Sequence, residues 1–266
     1  MDAAVAEYDF SMRVIGSWKN RLNHTQAVAL AREIAAWPAS AIDGLDVTLM
    51  PPMISLPDIR AVLPRTSSVG CQNVVWDAPN AFTGETSVAA AAEAGASIVM
   101  IGHSERRTFL GETNQQVALK VASVFAAGLT PLICVGETFE ERQAAMTRQV
   151  IASQLRALYP MLAEHADGVL VAYEPAWAIT TNAQSLPADP AIAAMDHAWL
   201  RSHLVEEVGD AARSVPLIYG AGVNEGNAGV FAATDDVDGV LVGGASQQSD
   251  TFLRLLESVS ANGGER

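Results

Sequence analysis

Short apolar runs recur along the chain at near-regular spacing: Met12–Gly16, Asp46–Met50, Ser68–Gln72, Ser97–Ile101, Leu129–Cys134, Gly168–Tyr173, Val215–Tyr219 and Gly239–Val242. Each is almost continuously apolar rather than alternating, the pattern of a strand buried on both faces of a parallel sheet. Between them lie stretches with helical boundaries. Thr25–Trp37 opens on a capping residue and stops at Pro38, where the ring cannot continue a helix. Asn114–Ala127 stops at Gly128 and Ala191–Val208 at Gly209, both suited to a C-terminal cap. Phe139–Leu158 predicts one long helix of mixed charge.

This alternation predicts an α/β fold with a parallel sheet. Over 266 residues eight repeats average about 33 residues each, which suits a strand–helix–strand crossover. No linker or low-complexity segment interrupts the cadence. Residues 1–266 therefore read as a single domain, a closed (β/α)8 barrel, with an open doubly wound sheet as the alternative. The polar tail Ser260–Arg266 is expected to fray.

Half of the residues are hydrophobic and 17% are charged. The charged share lies below the roughly 25% usual for soluble domains, so the chain can fill a large core. The net charge of −14 argues against nucleic acid, which demands a basic face. It also means that an anionic substrate would have to be captured locally, by main-chain N–H groups and one or two placed cations. The only cysteines, Cys71 and Cys134, stand far apart in apolar runs. They read as buried thiols rather than a disulfide or a metal site. Met1–Phe10 carries Asp2, Glu7 and Asp9 and no basic residue, unlike a signal peptide. No apolar run reaches the roughly 18 residues of a membrane span. A soluble cytoplasmic protein is the expectation.

In a closed barrel the chemistry sits in the loops after the strands. After the first comes Gly16-Ser17-Trp18-Lys19; an ordinary surface lysine is the plain alternative to a cation in the barrel mouth. After the fourth comes Gly102-His103-Ser104-Glu105-Arg106-Arg107. A helical turn starting at Ser104 would aim its positive end at the His103 ring and keep it neutral, so that its N–H can polarise a carbonyl. Glu105 is the expected partner of Lys19, since a buried charge needs pairing; its plainer role is a carboxylate at a helix N-terminus. After the sixth comes Glu174-Pro175-Ala176-Trp177-Ala178-Ile179. Ala176–Ala183 would then be a lid whose apolar closure strengthens Glu174 as a base. The seventh and eighth loops contain Gly222 and the pair Gly243-Gly244, where main-chain N–H groups can approach an anion. Glycine in an ordinary turn is the alternative there.

At these residues the chain resembles the triosephosphate isomerase family. Ile101–Arg107 (IGHSERR), Tyr173–Ile179 (YEPAWAI) and Asp238–Ser246 (DGVLVGGAS) carry the resemblance most specifically. Gln72-Asn73, Ala81–Glu85 (AFTGE) and Cys134–Glu137 (CVGE) extend it over nearly the whole chain. It implies a TIM barrel that interconverts glyceraldehyde 3-phosphate and dihydroxyacetone phosphate through an enediol, with no cofactor and no metal. Glu174 would be the base, and His103 the neutral electrophile beneath a closing lid. Lys19 would steady enediolate and phosphate. Ser17, the Thr180 N–H, Gly222, Gly243 and Gly244 would bind the substrate and its phosphate. The resemblance also implies a homodimer in which the Asn73–Glu85 loop reaches the neighbouring subunit, bringing Thr83 near the partner's site.

The chain departs from the family at three places. Ser17 replaces the asparagine of Asn-x-Lys. Thr180–Ser185 replaces a Gly-Thr-Gly-Lys-Thr-Ala lid, and Tyr219-Gly220-Ala221-Gly222 replaces Tyr-Gly-Gly-Ser. A branch of the family that isomerises L-erythrulose 1-phosphate shares the serine and a lid with asparagine before Pro-Ala, as in Asn182 and Pro187-Ala188. Two substrates, a triose phosphate and a tetrulose phosphate, therefore stay open. A non-catalytic sugar-phosphate-binding barrel is a remoter alternative, against which the retained Glu174 argues.

Overall fold

A computed structural model describes residues 12–38, 40, 43–64, 67–78, 81–179 and 186–263. Eight parallel strands form one closed barrel in sequence order. They are β1 (Met12–Ser17), β2 (Leu45–Met50), β3 (Ser68–Cys71), β4 (Ile98–Ile101), β5 (Thr130–Val135), β6 (Leu170–Tyr173), β7 (Leu217–Tyr219) and β8 (Gly239–Val242). The barrel closes where Arg13 pairs with Gly239 and Gly16 with Val242. The continuous apolar runs are explained by two cores. Ile15, Met50, Met100, Leu132, Cys134, Leu170, Ala172, Ile218 and Leu241 fill the barrel interior. The alternate strand residues, such as Val14, Leu49, Val99, Ile133 and Val171, pack outward against the helices.

Around the barrel run α1 (His24–Ala35), α2 (Leu56–Val62), α3 (Val88–Glu93), α4 (Ser104–Leu110), α5 (Asn114–Ala126), α6 (Phe139–Gln143), α7 (Thr147–Leu155), α8 (Tyr159–Glu164), α9 (Pro190–Val208), α10 (Ala228–Ala232) and α11 (Ser249–Gly263). Asn23 and Thr113 begin α1 and α5 with reciprocal capping boxes to Gln26 and Gln116, each satisfying two otherwise unpaired backbone donors. Pro190 opens α9 and Gly209 ends it.

Two expectations are corrected. Phe139–Leu158 is not one helix: it breaks at Ala145, whose φ of 56° is left-handed. Thr138 caps α6 through Glu141, and the chain turns before restarting at Thr147. A mixed-charge pattern without glycine or proline hides such a break. Residues 264–266 lie outside the described residues; the described part of the tail, Ser260–Gly263, also differs, because it belongs to α11. Its apolar side, Phe252, Leu255, Leu256 and Val259, is buried, and that burial outweighs the fraying tendency of polar residues.

Candidate active site

The loops at the C-terminal strand ends enclose a cavity of about 120 Å³, lined by Ser17, Lys19, His103, Glu174, Gly222, Gly243 and Gly244 among others. Glu105 stands at its edge, in an adjoining hollow. Residues from five different strand ends, those of β1, β4, β6, β7 and β8, thus meet in one place. Thr180 and the rest of the expected lid, Thr181–Ser185, lie outside the described residues.

Glu174 directly follows β6. Its N–H donates to Val135 O at 2.7 Å, and its side chain is 2% exposed. Oε1 faces His103 Nε2 at 3.4 Å. Oε2 is buried without a hydrogen-bond donor among the described residues. A buried carboxylate oxygen without a donor is uncommon in folded proteins, and it suits a group that takes up a proton. Neighbours without side chains make room for the Glu174 backbone and, separately, for its side chain. A Cβ on Gly136 would lie 2.0 Å from Glu174 O, and one on Gly220 would lie 2.8 Å from Glu174 Cγ. Cys134 lies on the barrel side; burial first, then the nearby Glu174 charge, holds its thiol well above the ordinary range. It stays a protonated, inert filler.

His103 is the N-cap of α4, and its Nδ1 accepts the Glu105 N–H at 3.1 Å. An accepting Nδ1 puts the proton of the neutral ring on Nε2, the nitrogen that looks at Glu174. Gly102, at φ 78°, makes the turn that aims the ring. Beneath it Arg107 donates to Gly102 O at 2.7 Å and to Asn114 Oδ1 at 2.6 Å.

Lys19 pairs with Glu105 at 2.6 Å, as the sequence suggested. Its backbone is in the left-handed region, φ 50°, which costs a non-glycine residue about 1 kcal/mol or more. Gln72 holds it there, donating to Lys19 O at 2.8 Å and to Met50 O at 2.9 Å. Behind Asn73 the buried Lys120 bridges Asn73 Oδ1 at 2.7 Å and Glu112 Oε1 at 2.6 Å. Arg106 closes the group on Glu112 Oε2 at 2.8 Å.

Gly222 has φ 62°. A Cβ there would come within 3.0 Å of both Ala178 O and Ala188 Cβ, so this glycine sits between the segments on either side of the expected lid. Those segments also meet directly, through Leu186 N–H to Trp177 O at 2.9 Å. Gly244 opens a short 3-10 turn, Gly244–Ser246, whose first N–H groups have no partner within the turn. Gly243 is next to Lys19, whose Cε would be 3.9 Å from a Cβ on that glycine.

A sequence model described as triosephosphate isomerase matches residues 12–259. This chain belongs to the triosephosphate isomerase family. Among its relatives, the triosephosphate isomerase of Alcanivorax borkumensis is 39% identical over 92% of this chain and 97% of its own. That of Magnetococcus marinus is 39% identical over 93% and 98%. A protein of Stellaria longipes named triosephosphate isomerase, cytosolic, is 39% identical over 92% and 95%. None of the three bears a tetrulose-phosphate name. No described helix is long and apolar enough to cross a membrane.

Several residues of the site escaped the sequence reading. Gln247 and Arg21 line the cavity, and Gln247 also donates to Trp18 O at 3.3 Å. The sequence reading did not single out Glu112 and Lys120, and both are almost wholly buried. Their signal, a lone carboxylate before a helix and a lysine on its apolar side, is too common to single out.

Proposed function

We propose that the chain interconverts glyceraldehyde 3-phosphate and dihydroxyacetone phosphate, with Glu174 as the base and His103 as the electrophile. One observation carries this reading: Glu174 Oε1 and His103 Nε2 stand 3.4 Å apart in a cavity shared with Lys19 and the glycines of loops seven and eight. A substrate lying against both would present its reacting carbon to the carboxylate and its oxygens to the imidazole. Glu174 takes a proton from the carbon beside the carbonyl, and the Nε2 proton of His103 supports the oxygen that gains charge. The enediol forms, His103 moves protons between its two oxygens, and Glu174 returns a proton to the neighbouring carbon. Lys19 offsets charge on the enediolate and the phosphate. The phosphate sits against Gly222, Gly243 and Gly244, with the Thr180 N–H added by the lid. Local donors of this kind let a chain of net charge −14 hold an anion.

The reading extends to a homodimer. Phe109 and Leu110 are 71% and 67% exposed beside a hollow of about 310 Å³ that also borders Lys19, Glu105 and Asn73. Thr83 is exposed at the tip of a loop whose base is tied by Asn73 Nδ2 to Glu85 Oε2 at 3.3 Å. A second copy inserting that loop into the hollow would cover the apolar pair and bring Thr83 to the neighbouring Lys19. We place the protein in the cytoplasm, in keeping with its cytosolic relative.

The test is a direct assay of purified protein with glyceraldehyde 3-phosphate and with erythrulose phosphates. Efficient turnover of the triose, with kcat/KM approaching about 10⁸ M⁻¹s⁻¹, is expected. Turnover of the erythrulose phosphates alone would overturn the assignment of substrate. No activity on either would overturn the enzyme.

A further inference from the structure

Helix α9 carries a carboxylate that the reaction does not require. Asp196 is 5% exposed. Its Oδ2 accepts Arg142 NH1 at 2.8 Å and the Tyr173 hydroxyl at 3.0 Å. A second buried carboxylate competes for the same donors. Glu137 Oε2 and Oε1 lie 3.2 and 3.3 Å from that hydroxyl, and Oε1 lies 3.6 Å from Arg142 NH1. Glu137 Oε1 also accepts the Trp177 indole N–H at 2.8 Å and the Thr147 hydroxyl at 3.2 Å. Arg142 lies over the Trp177 ring, 5.6 Å from its centroid.

A phenol has one proton to give. Burial first, then Glu137 and Asp196, holds Tyr173 well above the ordinary range, so it is always the donor. Its nearest acceptor is Asp196. Burial works against the Arg142 charge, but the hydrogen bond and charge of Asp196, together with Tyr173 and Glu137, more than offset it. Tyr173 immediately precedes Glu174, and Trp177 is in the first turn of the lid. Asp196 is on the helix that the other end of the lid enters, capped by Asp189.

We propose that Asp196 is a positioning residue for the lid: by taking the Tyr173 hydroxyl and Arg142, it reserves the Glu137 carboxylate for the Trp177 indole and fixes the first hinge beside Glu174. Without its charge, Tyr173 and Arg142 turn to Glu137 and compete with the indole. Asp196 touches no substrate. It acts through Tyr173 and Trp177 on the segment whose closure completes the site, where a change shifts kcat and KM together. The inference rests on the isomerase reading for the purpose of the lid, but not for the contacts.

The experiment compares wild type, Asp196→Asn, Asp196→Glu, Tyr173→Phe and the Asn/Phe double variant. Emission of Trp177 is isolated by difference from matched proteins carrying Trp177→Phe, with and without 2-phosphoglycolate as the anionic probe. Asp196→Asn is expected to shift Trp177 emission in the free protein and to lower kcat about tenfold. Asp196→Glu should restore most of both. The double variant should be no worse than the poorer single one, because both remove one interaction. An Asp196→Asn protein that loses thermal stability while keeping wild-type kcat and Trp177 emission would reduce the residue to a structural one and overturn the proposal. So would additive losses in the double variant. If Asp196→Asn does not fold, a Tyr173→Phe protein with wild-type Trp177 emission and kcat overturns it too, since the hydroxyl that Asp196 takes would then position nothing. The emission arm needs no turnover, so it still decides the question if the isomerase reading fails.

Discussion

The hydrogen of Gly220 points at the side chain of Glu174: a Cβ built on that glycine lies 2.8 Å from Glu174 Cγ and 3.4 Å from Oε1. The base therefore reaches His103 only because the next loop leaves a methyl-sized gap. Gly220→Ala should push the carboxylate away while leaving the barrel folded. An activity loss of about 10²-fold is expected, in line with the sensitivity of catalysis to a displacement of about 1 Å. Steady-state kinetics beside a thermal unfolding curve would check it, and wild-type kcat would sink the idea.

Glu174→Gln keeps the size and hydrogen-bonding capacity of the side chain and removes its basicity. Turnover should fall by at least about 10³-fold, the usual scale of general-base catalysis. Binding of a phosphate probe, followed by calorimetry, should persist. Unchanged turnover would remove Glu174 as the base.

His197 sets an acid limit. It is fully buried against Tyr173 and Tyr219. Burial lowers its pKa to about 4, despite the hydrogen bond to Asp236 O and the nearby Asp236 and Asp238, with Arg201 also opposing its charge. The unfolded chain takes up the proton near pH 6.5, where the folded one does not. Stability is therefore full above pH 6.5 and is lost as pH falls from there to about 4. The loss is about 3 kcal/mol, taking one pKa unit as about 1.4 kcal/mol. Urea midpoints measured between pH 7 and 4.5 should fall less steeply in a folded His197→Gln variant. Parallel slopes would refute this role.

Glu112 and Lys120 form a nearly dry ion pair, 2.6 Å apart with side chains 3% and 4% exposed. Removing one member strands the other, a loss of about 3–5 kcal/mol. Burial already lowers the Lys120 pKa, with Glu112 countering it. Glu112→Gln is expected to destabilise the fold by that amount in chemical denaturation. A loss under about 1 kcal/mol would show that the pair matters little.

The proposed dimer is tested by Phe109→Glu. A charge in the apolar rim should yield monomers in sedimentation experiments and lower activity at dilute protein by about tenfold or more. A dimer of wild-type stability would exclude this face as the interface.

The sequence by itself determined a parallel α/β sheet, because only strands buried on both sides demand uninterrupted apolar runs such as Leu129–Cys134 and Gly168–Tyr173; closure rather than an open sheet is settled by the pairing of β1 with β8. It also supplied Glu174, His103, Lys19 and the Lys19–Glu105 pair, since each falls where a strand must hand over to a loop. The tertiary structure decided what depends on distant neighbours. It set which nitrogen of His103 carries the proton and how much space Gly136 and Gly220 leave. It broke the chain at Ala145 and buried Glu112, Lys120 and Asp196 as partners rather than surface charges. Periodicity records which side of an element is dry. The direction of a hydrogen bond and the pairing of charges far apart in sequence exist only once the barrel has closed and brought their loops together.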